Sequence, residues 1–241
     1  LTDPIHCPML DQLFDRGQVW QRHQYSSPPA IDTGFATLNQ HLPGAGWPAA
    51  GVTEILYPQH GIGELSLLLP SLAKLSQREL WIIWVGPPWR LNAPALAAAG
   101  VDVRRILVVS PAQNTGILWA LEEGLKSGAA SAVLGWPQQA SSTQVRRLQI
   151  CAAQHEVPCF VFRHQRPGGQ NQQTPSALRL QLKPLSTDRV EIRILKQRRG
   201  WPAAPFPFTL QRCPAFRYPA GSTPSTGDAG RAGGLGGSGN K

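Results

Sequence analysis

The sequence predicts an α/β domain on a mostly parallel central sheet flanked by helices, with a C-terminal β-hairpin at the sheet edge and flexible tails. Two observations carry this. From Ile31 onward, short apolar runs alternate with stretches of helical periodicity, the pattern of βαβ units. Hydrophobic residues make up 41% of the chain and charged residues 15%, which suits a packed core rather than a disordered polymer. At 241 residues the chain is long enough for one such domain with tails and short for two.

The elements follow in order. Residues 1–30 combine a short amphipathic stretch with a polar, proline-containing segment and read as a leader and linker. Residues 31–213 form the domain. Strands are predicted at 52–57, 80–85, 105–109, 131–134 and 159–162, each apolar enough to be buried on both faces. Helices are predicted at 64–75, 93–99, 115–126 and 141–154, with Gly100 and Gly128 as stops and Ser141, Ser142 or Thr143 as the cap of the last. Residues 178–182 and 190–195 alternate apolar and polar side chains around a turn at 184–188, which predicts the edge hairpin. Residues 214–241 are rich in Gly, Ser, Pro and Ala, and are predicted to be a disordered tail.

Composition excludes several classes of function. No stretch approaches the roughly 20 apolar residues that span a bilayer, and residues 1–10 carry no signal-like pattern, so no membrane partner and a cytoplasmic location are expected. The four cysteines, Cys7, Cys151, Cys159 and Cys213, form no metal-binding spacing; buried thiols, no metal and no cofactor are expected. The net charge of +9 is concentrated, because residues 142–217 hold 13 Lys/Arg against 3 Asp/Glu. Such a region suits weak, nonspecific contact with nucleic acid or with an acidic protein.

One segment has the order of a phosphate-binding loop without its chemistry. The strand at 52–57 leads into Tyr57-Pro58-Gln59-His60-Gly61-Ile62-Gly63-Glu64-Leu65-Ser66 and then an apolar helix. A working loop needs glycines whose backbone N–H groups wrap phosphate, a lysine to offset its charge, and a hydroxyl for magnesium. Gly61 and Gly63 are present, but Glu64 stands where the lysine belongs and Leu65 where the hydroxyl belongs, one residue before Ser66. Glu64 is expected instead to favour the N-terminus of the following helix.

The surrounding motifs resemble RecA and RadA-type ATPases. They are Ile31-Asp32-Thr33-Gly34-Phe35, Leu42-Pro43-Gly44-Ala45-Gly46-Trp47-Pro48, Gly51-Val52-Thr53-Glu54-Ile55 and Ala97-Ala98-Ala99-Gly100-Val101-Asp102, and the resemblance spans about residues 31–210. It implies a RecA-like core. The acid that would end the strand Ser131-Ala132-Val133-Leu134 is replaced by Gly135-Trp136, and no carboxylate occurs in Val85-Gly86-Pro87-Pro88-Trp89. A non-enzyme is therefore expected. The run ending Lys196-Gln197-Arg198-Arg199 resembles the RecA strand that reaches a neighbouring subunit, which implies that Lys196, Arg198 and Arg199 face a partner. Phe162-Arg163-His164-Gln165-Arg166 resembles the strand end that couples ATP to DNA, which implies DNA contact by Arg163, Gln165 and Arg166.

Within that superfamily, His60-Gly61-Ile62-Gly63-Glu64-Leu65, Leu67-Leu68-Leu69-Pro70 and Val133-Leu134-Gly135-Trp136 resemble the ImuA family, with a more distant similarity to the division inhibitor SulA. The ImuA resemblance implies a non-catalytic accessory role in damage-induced (SOS) translesion DNA synthesis. Its implied partners are an ImuB-type Y-family-like protein, an error-prone DnaE-type polymerase and RecA, with association with the nucleoid during DNA damage. The competing expectation is a SulA-like cell division inhibitor acting on FtsZ.

Overall fold

The computed structural model describes residues 29–165, 173–198 and 204–210. Almost all of the predicted leader and the whole predicted tail lie outside these residues, as do Cys7 and Cys213. The central strand is β3 (Gly51–Tyr57), buried at all seven positions. It follows β1 (Ala30–Ile31) and β2 (Trp47–Pro48), which pair with each other as a separate antiparallel ribbon. The remaining strands are β4 (Trp81–Val85), β5 (Ile106–Val109), β6 (Ala130–Gly135), β7 (Pro158–His164), β8 (Leu178–Pro184), β9 (Arg189–Gln197) and β10 (Phe206–Thr209). The sheet order is β10-β9-β8-β3-β7-β6-β4-β5. It is parallel from β8 to β5, and antiparallel where β8, β9 and β10 meet. A mixed α/β architecture with a large, mostly parallel sheet is thus observed.

Alternation along the strands divides the interior into two layers. Ile55, Trp84, Leu134, Phe160 and Phe162 face α1 (Ala36–His41), α2 (Leu69–Ser76) and α3 (Ala93–Ala98). Val52, Ile83, Val133 and Val161 face α4 (Asn114–Lys126) and α5 (Ser142–Gln154). The predicted caps form. Ser141 Oγ accepts from Gln144 N at 3.2 Å while Gln144 Oε1 accepts from Ser141 N at 2.8 Å, a reciprocal capping box. Gly100 and Gly128 take positive φ after α3 and α4.

Four expectations are corrected. The helix predicted to start at residue 64 starts at Leu69, with Pro70 in its first turn. Proline has no N–H and its ring clashes with the preceding turn, so a helix already under way from residue 64 could not pass through it, whereas a first turn accepts it without loss. Glu64 therefore does not lie at a helix N-terminus. The strand predicted at 105–109 is not buried on both faces: β5 is the last strand of the sheet, and Leu107 and Val108 are 44% and 45% exposed. The predicted hairpin forms but does not end the sheet, because Phe206 and Phe208 of β10 add beside β9 and are buried. Among the tryptophans expected to pack, Trp81, Trp89 and Trp119 are exposed, whereas Trp84 is buried and Trp136 packs against the core.

A polar side chain anchors β3 to α5: Gln149 Oε1 accepts from the buried Val52 N at 2.9 Å. Removing a partner from a buried donor costs about 1–3 kcal/mol, so Gln149→Ala is expected to lower urea-unfolding stability by about that amount. Before α1, Asp32 accepts from Gly34 N at 3.0 Å and Asn39 Nδ2 at 2.7 Å, and pairs with Lys74. The Lys74 ammonium, followed by the Asn39 amide, holds the Asp32 carboxyl well below the usual carboxylate range. A carboxyl depressed in the folded state stabilises above its unfolded pKa, and that stability is lost as pH falls through the folded pKa. The pair is half exposed, so Asp32→Asn is expected to cost about 0.2–1 kcal/mol at pH 7. In denaturation at a series of pH values the difference should shrink below about pH 4, as the unfolded chain's carboxyl protonates.

Candidate functional site

The loop after β3 keeps the backbone of a phosphate cradle and fills it from within. Gly61 and Gly63 have φ of 81° and 98°, a region that favours glycine. Glu64 Oε1 accepts from Gly61 N at 3.1 Å, so the chain's own carboxylate takes up a backbone donor that a phosphate would otherwise use. A Cβ added at Gly63 would lie 2.2 Å from Leu210 Cδ1, and Leu210 is itself buried; the residue following β10 packs against the loop. Leu65 and Ser66 are half-buried in turns that precede α2.

Glu64 brings a negative charge to the loop, felt by both Tyr57 and His60. Burial, aided by the Glu64 charge, raises the Tyr57 phenol above its ordinary range. Burial lowers His60, with Glu64 opposing and His164 reinforcing. The His60 ring lies 5.1 Å from Tyr57, 6.0 Å from His164 and 6.4 Å from the exposed Trp89. Where an acid would follow β6, Trp136 stacks on Phe162 at 4.6 Å and on Trp84 at 5.4 Å. This arrangement offers aromatic and apolar contact rather than cationic grip on phosphates.

A second cluster lies on the α5 side of β3. Glu54 is fully buried, and its carboxylate pairs with Arg163 Nη1 at 2.7 Å and accepts from the Thr174 hydroxyl. Arg163 Nη2 also donates to Ala140 O at 3.1 Å, just before α5. Lys196 Nζ donates to Thr174 O at 2.6 Å, and Arg179, buried on β8, lies beside them. Glu54, Thr174 and Arg179 were not among the sequence-derived candidates. The signal for Glu54 was present: a carboxylate inside a strand buried on both faces requires a cationic or hydroxyl partner.

The basic candidates separate on this geometry. Arg163 turns inward to pair with Glu54 and keeps only 20% of its side chain exposed. Gln165 is held by its own chain, its N donating to Tyr57 O at 2.8 Å and its Oε1 accepting from Gln181 Nε2 at 2.7 Å. Lys196 is half-buried against Thr174, whereas Arg198 is exposed. Arg166 and Arg199 lie outside the described residues.

The fold and this occluded loop define an α/β protein whose nucleotide-loop position is filled by its own side chains. Comparison with known proteins gives a partial match: residues 50–157 match the family model "Cell division inhibitor SulA". Cell division inhibitor SulA of Serratia proteamaculans is 28% identical over 115 residues, covering 48% of this chain and 68% of the relative. The SulA of Serratia marcescens is 27% identical over the same shares, and that of Yersinia pestis strain Pestoides F is 27% identical over 46% of this chain and 67% of the relative. The crystal structure of SulA from Pseudomonas aeruginosa is 26% identical, with a TM-score of 0.40, and covers 47% of this chain and 98% of that one.

These matches correct the functional expectation. The role in translesion synthesis with ImuB and a DnaE-type polymerase, implied by resemblance to ImuA, gives way to the competing SulA-like reading, because both the family model and the curated relatives are division inhibitors by name. For the site itself, Arg163→Met leaves the Glu54 carboxylate buried without its cation, which costs about 3–5 kcal/mol. Chemical denaturation should show that loss, and the double variant Glu54→Leu/Arg163→Met should recover part of it.

Proposed function

We propose that the protein is a SulA-like inhibitor of cell division that acts by binding FtsZ, without chemistry of its own. The observation that carries this reading is the SulA family match over residues 50–157, a segment that runs from β3 through the occluded loop and the last strand of the sheet to α5. Within it, β5 has no strand beside its outer edge among the described residues, and it exposes Leu107 and Val108 on opposite faces. An open, apolar edge offers a partner both backbone hydrogen bonds and side-chain contact.

A non-catalytic mode of action is supported by the filled loop, where Glu64 and Leu210 stand in the path of a phosphate. Two finer readings rest on sequence motifs. A RecA-like core is supported by the runs from Ile31 to Ile55 and from Ala97 to Asp102, and an ImuA-like branch of the family by His60 to Leu65 and Val133 to Trp136. Neither adds an activity to the one proposed.

Purified protein is expected to reduce sedimentable FtsZ polymer in GTP in a dose-dependent manner, and undiminished polymer at stoichiometric excess would overturn the reading. Val108→Asp, at an exposed position, should fold normally and raise the concentration for half-inhibition about tenfold, the scale of one interface hot-spot residue.

A further inference from the structure

On the sheet face that carries α4 and α5, the part formed by β8 and β9 opens into a cavity of about 650 Å³. Ser142 and Thr143 line it from the first turn of α5, Arg146 from the next turn, Arg179 from β8 and Lys196 from β9, with Thr174 between them. Arg179 and Lys196 are paired in register across the two strands, which sets their side chains on one face. Arg179 is only 5% exposed, so a guanidinium forms part of the cavity floor.

The charge around this floor is mostly positive among the described residues. Glu54 and Arg163 act on Arg179, and Arg198, Glu54 and Arg179 act on Lys196. Arg146 adds a further cation at the wall. Glu54 is already engaged by Arg163 and the Thr174 hydroxyl. The first turn of α5 carries no acidic residue, and none lines the cavity among the described residues. Cations gathered beside a low-dielectric floor attract an anion more strongly than they would in open solvent.

The lining also discriminates among anions. Two guanidinium groups, an ammonium and two hydroxyls approach from three separate elements, a set of donors that matches the several oxygens of a tetrahedral oxyanion better than the two of a planar carboxylate. The opening turn of a 13-residue helix adds a favourable dipole. The cavity is larger than a lone ion needs, and Pro175 and Leu195 give it apolar wall for the rest of a ligand. We propose that this cavity binds a phosphate ester, with the phosphate seated between Arg146, Arg179 and Lys196. The ester is either a free phosphorylated small molecule or a nucleic-acid backbone phosphate, and the site is independent of the FtsZ-directed reading.

The test is calorimetric titration of the full chain with sodium pyrophosphate, AMP and a 20-nucleotide oligo-dT. Pyrophosphate is expected to bind, and Arg146→Gln, at an exposed position, and Lys196→Gln, at a half-buried one, should each weaken it about tenfold. Arg189→Gln, an exposed change of equal charge at the far end of β9, should leave affinity within about twofold. Tighter binding of oligo-dT with the same residue dependence assigns the backbone phosphate as the source. Binding of pyrophosphate and AMP that oligo-dT fails to compete assigns the small molecule. Equal affinity across all three variants would reduce the effect to overall charge and overturn the site. Binding of a polyglutamate peptide, with the same residue dependence and no response to pyrophosphate, would overturn it in favour of an acidic peptide.

Discussion

The buried carboxylate of Glu54 is the constraint around which the other elements are arranged. A charge in the middle of the central strand of a sheet covered on both faces must be met by cations and hydroxyls drawn from elsewhere in the chain. Arg163 supplies the ion pair from β7, and through its second nitrogen ties the residue before α5. Thr174 supplies a hydroxyl from the segment entering β8, and its carbonyl holds Lys196 of β9. One side chain thus fixes the relation between β3, its two neighbours, the start of α5 and the hairpin.

The two functional regions differ in how they treat an incoming anion. The loop after β3 answers its own backbone donors with Glu64 and closes its space with Leu210, so its outer surface is left to aromatic rings such as Trp89. The cavity beside α5 does the reverse and is lined by donors, with Glu54 lying behind its lining. The SulA-like action by contact proposed above would have no need of the first region as a nucleotide site, which would leave the loop free to serve packing. The open edge at β5 lies at the opposite end of the sheet from β10, so contact there would not disturb the hairpin.

Much of the sheet was legible in the sequence. β3, β6 and β7 lie within two residues of the apolar runs that predict them, because a strand buried on both faces leaves an unbroken run with sharp polar limits. The start of α2 was also legible, in Pro70, but the apolar periodicity beginning at residue 64 outweighed it in the prediction. The exposure of β5 was not legible, since position in a sheet is set by strand order, and the apolar run Ile106 to Val109 reads the same at an edge as at the centre. The inward turn of Arg163 was hidden for a similar reason: its partner lies 109 residues away, and proximity of that kind arises only on folding. The absence of a lysine from the loop was visible from Glu64 alone, whereas the loop's occupation by Leu210 required the position of β10.

That occupation would make nucleotide chemistry hard to install at this loop. Placing a lysine at residue 64 and a hydroxyl at residue 65 would write the motif on paper, yet the space beside Gly63 would still hold the Leu210 side chain. Leu210 is in turn fixed by its N–H to Asp188 O at 2.8 Å, at the turn of the hairpin that carries β9. Any lineage acquiring phosphate binding at this loop would have to re-lay the outer strand of its sheet before a new cation could act, a barrier of architecture rather than of single substitutions.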